Sequence, residues 1–124
     1  MLSMFFGCSS LQSVPLFDTS SVTTMSTMFT SCSSLQSVPA FDVSSVNTSF
    51  GNFAQNAYSL SKVEMTGISE NISFGNCKLS GTELDAIYTA LPTVVGKTIT
   101  VTGNYGTATD DPTIATGKGW TVTN

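Results

Sequence analysis

The sequence contains an internal repeat, and this repeat limits the folds that the chain can adopt. Residues 8–18 read CSSLQSVPLFD and residues 32–42 read CSSLQSVPAFD, so two segments 24 positions apart differ at one residue. A third, degraded copy follows at about the same spacing, with Asn56 in the place of Cys32. Self-similarity at a period of about 20–50 residues is typical of repeat folds, in which each repeat is one unit stacked on the next.

Each copy carries the pattern L-x-x-V-x-Φ, which is similar to the strand pattern L-x-x-L-x-L of leucine-rich repeats. We expect the apolar residues of the pattern to point into a core; they are Leu11, Val14, Leu16, Leu35, Val38, Ala40, Leu60, Val63 and Met65. Residues 72–77 and 99–104 show a shorter form that ends in Asn or Cys, and residues 120–123 alternate as a strand does. Pro15 and Pro39 remove backbone donors, so the strands there should be very short.

One spacing between these predicted strands is irregular. The strand centres lie near residues 14, 38, 63, 72, 99 and 121. The step from 63 to 72 is too short for a parallel crossover, which needs about a dozen residues. Either a hairpin forms around Thr66 and Gly67, or one of the two segments is not a strand.

The segments between the strands have helical spacing. Residues 22–29 place apolar side chains on one stripe, and their Ser and Thr content favours short or irregular helical turns. The clearest helix covers residues 80–91, where Ser80 and Glu83 form a capping box. Glu83 and Asp85 are two positions apart and therefore point in different directions, which makes them a poor acid/base pair.

These patterns predict an α/β repeat fold, namely a short right-handed leucine-rich-repeat solenoid of about five turns. Each turn has one short strand and a helical or irregular convex segment. One domain covers residues 1–124, with regular repeats of 24–25 residues over residues 1–65 and divergent repeats and a cap over residues 66–124. The first repeat lacks a polar cap. We therefore expect the C-terminal part of a longer protein, with the N-terminal part of the same polypeptide or a partner covering the open first repeat.

The string MFxxCSSLxSVPxFDxSSVxxM resembles the BspA-type leucine-rich-repeat surface protein family. The similarity is close over residues 1–46 and loose to about residue 65. The C-terminal part, with KTITVTGN and GWTVTN, resembles phage tail-fibre and bacterial surface repeat proteins. Both resemblances imply adhesion or recognition at a cell or virion surface, without catalysis.

The composition argues against several functions. The chain has four lysines, no arginine, eight acidic residues and no histidine, so its net charge is −4. A basic surface for nucleic acid is absent, and so are the commonest general base and zinc ligand. No apolar run approaches the roughly 20 residues that span a bilayer. We therefore expect no enzyme, no cofactor, no metal site, no nucleic-acid partner and no membrane span.

Two sets of residues recur at the repeat period and have alternative interpretations. Cys8 and Cys32 could stack closely enough for a disulfide, but together with Cys77 they are predicted to be buried free thiols. Asp18 and Asp42 are predicted to cap the turns that follow them, and the alternative is a stacked pair that holds a hard cation.

The strand face turned away from the core is the predicted ligand-binding surface, because solenoids bind on extended concave sheets. Its residues are Ser13, Pro15, Ser37, Pro39, Lys62, Glu64, Ser73, Thr98, Thr100, Thr121 and Thr123, with Tyr105 as an exposed aromatic in a turn. This weakly charged, hydroxyl-rich surface suits a cell-surface glycan or a surface protein. Solubility and strand propensity are the alternative reasons for the Ser and Thr content.

The expected function is recognition or adhesion without enzymatic activity, in an extracellular protein on a virion or cell surface. Host-surface attachment in a phage tail-fibre-like protein is the leading form. The alternatives are a bacterial surface adhesin and a purely structural spacer or decoration domain without a ligand.

Overall fold

The computed structural model describes all residues, 1–124, and contains short parallel strands, two α-helices and one 3-10 helix. In chain order the elements are β1 (Ser37–Val38), β2 (Lys62–Val63), β3 (Ile72–Ser73), α1 (Gly81–Ala90), β4 (Lys97–Thr100), the 3-10 helix (Tyr105–Ala108), α2 (Thr113–Thr116) and β5 (Trp120–Thr123). Neither α-helix has the length or the apolar character needed to cross a bilayer. The right-handed solenoid of about five turns stays a prediction, and so do the domain boundaries.

The strands form two separate sheets, and every pairing is parallel. In the first sheet β1 pairs with β2, with Ser37 opposite Lys62. In the second sheet the order is β3-β4-β5, with Ile99 between Ile72 and Val122. The expectation of a hairpin or a false strand after β2 is therefore wrong. Both segments are strands, and the short connection through Gly67 carries the chain from one sheet to the other.

Backbone hydrogen bonds also join equivalent positions of the repeats outside the strands. The segments joined in this way form a row that runs from one repeat to the next. The N–H groups of residues 3, 5 and 7 donate to the carbonyls of residues 26, 28 and 30, and residues 27, 29 and 31 donate in the same way to residues 50, 53 and 55. Gly51 then bridges to Ile72 of β3, so this row continues into the second sheet. Residues 22–29, which have helical spacing, contain no helix: residues 26–29 form turns, and residues 22–25 have no regular structure.

Left-handed backbone recurs at two positions of this row, and Ser3, Thr27 and Gly51 occupy the first. The second, which we name the left-handed position, continues into the second sheet. Its residues are Gly7 (φ 71°), Ser31 (φ 61°), Asn56 (φ 63°), Asn76 (φ 55°) and Gly103 (φ 80°). Hydrogen bonds from each of the first four to the residue before the next one show that the positions are equivalent. Gly and Asn adopt this conformation at least cost. The same bend in each repeat keeps the backbones of neighbouring repeats aligned.

The residue after the left-handed position is buried in the later repeats. Cys32, Ala57, Cys77 and Asn104 occupy it, and each is at most 7% exposed. The assignment of Asn56 to the place of Cys32 is therefore wrong by one residue, because Asn56 is the left-handed residue and Ala57 follows it. The polar members bond to the backbone of the preceding repeat: Cys32 Sγ to Phe5 O (2.9 Å), Cys77 Sγ to Ala54 O (3.1 Å) and Asn104 Nδ2 to Phe74 O (2.8 Å).

Phenylalanine rings stack across the first repeats. The rings of Phe5 and Phe29 lie 5.5 Å apart and nearly parallel, and those of Phe17 and Phe41 lie 5.9 Å apart. Such offset pairs add to the energy of burial. The prediction that Leu16 points into the core is wrong, since Leu16 is 64% exposed.

The same correction applies to the second repeat, where Ala40 is exposed and Phe41 is buried. Ser37 lies opposite Lys62, whereas Asp42 bridges to Thr66, so the second repeat has one residue more than the third over this stretch. The extra residue follows Pro39 and moves the inward position from Ala40 to Phe41.

Helix α1 lies where the capping box predicts a helix, and it closes the first sheet. The Ser80 hydroxyl accepts the Glu83 N–H at 3.2 Å. The Glu83 carboxylate accepts the N–H of Val63 at 2.8 Å and so satisfies the open edge of β2. At the other end of α1 the Lys118 ammonium donates to the carbonyls of Tyr88, Thr89 and Leu91.

Replacing Asn104 by Asp should destabilise the fold by about 2–4 kcal/mol. The buried amide of Asn104 donates to the Phe74 and Val101 carbonyls, and its oxygen accepts the Leu79 N–H at 2.9 Å. An aspartate loses both donors and buries a charge. Urea unfolding measures the loss, and Asn52→Asp, at an exposed position, is the control. Equal losses in the two variants would contradict this role of Asn104.

Candidate ligand-binding surface

The predicted binding residues form two groups in the structure and not one continuous face. Ser13, Pro15, Ser37, Pro39, Lys62 and Glu64 lie at or beside the β1–β2 sheet, whereas Ser73, Thr98, Thr100, Thr121 and Thr123 lie in the β3–β5 sheet. The division follows from the connection between β2 and β3, which changes sheets. A ligand contacting one group therefore meets a different sheet from a ligand contacting the other.

The first group is irregular. β1 is very short, as predicted, and ends at Val38 because Pro39 has no N–H to donate. The prediction of a strand near residue 14 is wrong, since the segment that contains Pro15 forms no strand. Lys62 and Glu64 form an exposed ion pair with an N–O distance of 3.1 Å. Water and salt screen such a pair strongly, so it contributes little to stability.

The second group contains a regular array, which we name the threonine row: Thr98, Thr100, Thr121 and Thr123. Thr98 lies opposite Thr121 and Thr100 lies opposite Thr123 in the parallel pairing of β4 with β5. Their neighbours Ile99, Trp120 and Val122 turn toward the core. Side chains on this face are therefore spaced by about 4.8 Å between strands and about 6.6 Å along each strand.

Ser73 does not belong to this exposed surface. It lies opposite Thr100, but it is only 8% exposed. Its hydroxyl accepts the N–H of Gly75 at 3.3 Å. The prediction that Ser73 faces a ligand is thus wrong, because its side chain is buried and its hydroxyl already binds the backbone of the following turn.

Most of the hydroxyls that cross between repeats bind backbone carbonyls of the neighbouring repeat. They belong to Thr19, Thr30, Ser33, Ser45, Thr48, Ser49, Ser61 and Thr102. The four hydroxyls of the threonine row make no hydrogen bond to the protein. They are half-buried or exposed, and so they are available to solvent or to a ligand.

Polar groups that the sequence pattern did not single out hold the start of the threonine row. Asn71 Oδ1 accepts the N–H of Thr98 at 2.8 Å. Lys97 and Glu70 form a half-buried ion pair at 2.6 Å. Asn71 and Glu70 come just before β3, and their offset of 27 from Thr98 and Lys97 is the only sequence signal for these contacts.

An amide pair lies beside this sheet, at the left-handed positions. Asn76 Nδ2 donates to Asn56 Oδ1 at 2.9 Å. Tyr105, the predicted aromatic platform, begins the 3-10 helix and is 65% exposed. Tyr58, which the pattern did not single out, is also exposed and comes two residues after Asn56. Tyr105 likewise comes two residues after the left-handed Gly103, so the two tyrosines occupy equivalent positions of their repeats.

Asp18 and Asp42 have the geometry of turn caps. Asp18 Oδ1 accepts the N–H of Ser20 at 3.1 Å and its hydroxyl at 2.6 Å, and Asp42 Oδ1 accepts the N–H of Ser44 at 3.0 Å. Hydroxyl and N–H hydrogen bonds from these serines lower the pKa of both carboxyls. No three His, Cys, Asp or Glu side chains are placed so that they could hold a metal ion together.

All three cysteines are free, but they differ in exposure. Cys32 and Cys77 are buried, as predicted, whereas Cys8 is exposed, so the prediction of burial is wrong for Cys8. Burial raises the pKa of the Cys32 thiol and raises that of Cys77 to about 12. Both thiols are therefore neutral in the folded protein near neutral pH.

The raised pKa of Cys77 predicts a loss of stability in alkali. The unfolded thiol ionises near its ordinary pKa of 9.0, while the folded thiol stays protonated up to about 12, so its contribution is complete below 9.0 and declines as the pH rises. From about pH 8 to about pH 10 the free energy of unfolding should fall by about 1 kcal/mol more in the natural chain than in Cys77→Ala. Urea titrations of both chains at each pH measure the difference. An unchanged pH dependence in Cys77→Ala would contradict the prediction.

Comparison with known proteins bears on residues 1–68, which contain the repeat copies. The family model described as "Mycoplasma protein of unknown function, DUF285" matches these residues. The family is associated with BspA-like surface proteins, which confirms the coarser part of the resemblance. No curated protein and no solved structure matches the chain. Because the matched residues are more than half of its length, the chain belongs to the DUF285 family.

Proposed function

We propose that the chain is a non-enzymatic recognition module, a short solenoid displayed on a cell or virion surface, and that the threonine row contacts a cell-surface glycan. The observation that carries the proposal is the set of four threonine hydroxyls, which lie in register on two paired strands and have no protein partner. Each hydroxyl can donate one hydrogen bond and accept two.

The threonine row is rigid before any ligand binds. The β4 and β5 backbones are hydrogen-bonded to each other over four residue pairs, and the Thr98 N–H is fixed by the Asn71 amide. Threonine also has few side-chain rotamers in a strand. A preformed surface loses little conformational entropy on binding, which favours affinity for a ligand that is itself a weak binder.

The charge around the row favours a neutral ligand. Lys97, the one charged residue in β4 and β5, is paired with Glu70 at 2.6 Å, so its charge is balanced. Neutral hydroxyl groups on a sugar chain can form direct and water-mediated hydrogen bonds with such a surface. This supports a glycan over a strongly charged polymer.

Host-surface attachment in a phage tail-fibre-like protein is the leading form of this proposal, on the resemblance of the C-terminal part. A bacterial surface adhesin is the second candidate, and the DUF285 match over residues 1–68 favours it. Tail genes beside the coding gene would support the first form, and a cell-wall or membrane anchor encoded with it would support the second. Both forms require the same binding surface.

The proposal is tested by removing two hydroxyls from the row with Thr98→Val and Thr121→Val together. Valine keeps the branched shape that suits a strand, so the melting temperature should stay the same. Each lost hydrogen bond contributes about 0.5–1.5 kcal/mol, so the loss of two should lower the affinity of the labelled domain for bacterial cells by about 5-fold to about 150-fold. Saturable adsorption to cells, before and after their surface polysaccharide is stripped, measures this affinity.

The control pair Thr23→Val and Thr93→Val removes two exposed hydroxyls outside the row and should adsorb as the natural chain does. Binding that survives removal of the polysaccharide would identify a protein receptor and overturn the glycan assignment. No saturable adsorption to any strain of a broad panel would favour a structural spacer and overturn the proposal.

A further inference from the structure

Two tyrosines and a lysine occupy one position in three successive repeats. Tyr58, Lys78 and Tyr105 each come two residues after the left-handed position of their repeat. All three side chains are exposed, and the tyrosines expose 61% and 65% of their surface. We name these three residues the tyrosine–lysine cluster.

The backbone brings the three members of the cluster next to one another. Asn76 Nδ2 donates to Asn56 Oδ1 at 2.9 Å, and a Cβ atom added to Gly103 would overlap the side chain of Asn76. The left-handed positions of these three repeats are therefore in contact, in chain order. Lys78 lies between the two tyrosines, whose backbones are about 10 Å apart at a step of about 4.8 Å per repeat.

The repeat itself does not require an aromatic residue at this position. The first two repeats have Ser9 and Ser33 there. Of the three tyrosine hydroxyls, only that of Tyr88 bonds to the protein, at 2.7 Å from Asp110 Oδ2. The two tyrosines of the cluster therefore have no bonding role within the fold. Large exposed aromatic side chains of this kind are typical of interaction sites.

The ammonium group of Lys78 has no partner in the protein, unlike those of the other lysines. Lys62 and Lys97 each pair with a glutamate, and Lys118 donates to three carbonyls at the end of α1. The backbone of Lys78 is held in place, because its N–H donates to the Leu60 carbonyl at 2.8 Å. Its side chain is thus an anchored cation that is available to an external anion.

We propose that the tyrosine–lysine cluster binds a carboxylated sugar, such as a uronic acid residue of an acidic polysaccharide. The Lys78 ammonium pairs with the carboxylate through a charge-assisted hydrogen bond. The apolar C–H faces of the sugar rings pack on Tyr58 and Tyr105, whose rings supply contact area at a low cost in conformational entropy. The site goes beyond the threonine row, because it uses none of the residues of that row.

The surroundings of the cluster suit a sugar better than an acidic peptide. The bond between Asn76 and Asn56 leaves Asn56 Nδ2 and Asn76 Oδ1 free to bond sugar hydroxyls. A peptide rich in Asp and Glu would bring many charges to one available cation, on a chain whose net charge is −4. Its flexible backbone and side chains would also lose more conformational entropy on binding than a sugar ring does.

Nuclear magnetic resonance of the chain with labelled tyrosine rings tests the proposal, because one of the three tyrosines, Tyr88, is buried. Millimolar tetragalacturonate should shift the ring signals of Tyr58 and Tyr105 and leave those of Tyr88 unchanged. Lys78→Met removes the charge and keeps an apolar stem, so the affinity should fall at least about tenfold. The fully methyl-esterified tetramer, which carries no charge, should bind the natural chain at least about tenfold more weakly than the acid does.

Lys62→Met is the matched control, because it changes the net charge equally at an exposed position outside the cluster. It should bind tetragalacturonate as the natural chain does. The double variant Thr98→Val and Thr121→Val should do so too, which separates this site from the threonine row.

Equal affinity for the acid and its ester, or a shift of only one of the two exposed rings, would overturn the proposal. Tighter binding of tetraglutamate at the same rings would identify an acidic peptide as the ligand and also overturn it. The same conclusion would follow if neither tetragalacturonate nor a trisaccharide that ends in sialic acid shifted either ring. Unchanged melting temperatures of the variants would show that their fold is intact.

Discussion

The fold depends on the hydrogen bonds that join the backbone of each repeat to the next. Each repeat donates N–H groups at alternate positions to the carbonyls of the following one, and the left-handed residues Ser31, Asn56 and Asn76 keep those groups in line. Because each repeat follows the same backbone path, the apolar side chains stack into one core and the hydroxyls stack into rows. At the residue after the left-handed position, Cys77 Sγ and Asn104 Nδ2 donate to carbonyls of the preceding repeat and so add to the bonds between repeats.

The requirement also determines where regular stacking changes. The β1–β2 sheet ends at β2, where Glu83 of α1 accepts the N–H of Val63 in place of another strand. The other row continues through β3, β4 and β5. A helix that supplies one carboxylate to a sheet edge leaves that edge with no unpaired donor at Val63 and so reduces its tendency to pair with other chains. The threonine row lies on the sheet that continues.

The sequence predicted the parts of the structure that depend on period and local chemistry. The repeat, the cap of α1 at Ser80 and the shortness of β1 follow from spacing, capping and the missing donor of Pro39. Pattern alone did not predict that Phe41 replaces Ala40 in the core, or that one row of binding residues divides into two. Both differences arise from backbone geometry: one extra residue after Pro39, and a nine-residue step that changes sheets. The pattern of apolar residues predicts neither the extra residue nor the change of sheet.

The Ser and Thr content has two physical roles, and the contrast between them bears on function. Ser45 and Thr19 bond carbonyls of neighbouring repeats, so these hydroxyls hold the stack together and are occupied. The hydroxyls of Thr98 and Thr121 bond to no other part of the protein. Strand propensity does not require them, because valine would suit the same positions equally well. Water can satisfy the hydrogen-bonding capacity of isolated exposed hydroxyls. Hydroxyls that lie in register on a rigid sheet, with balanced charge beside them, also offer a fixed set of hydrogen-bonding groups, and a ligand with repeated hydroxyls can match that set.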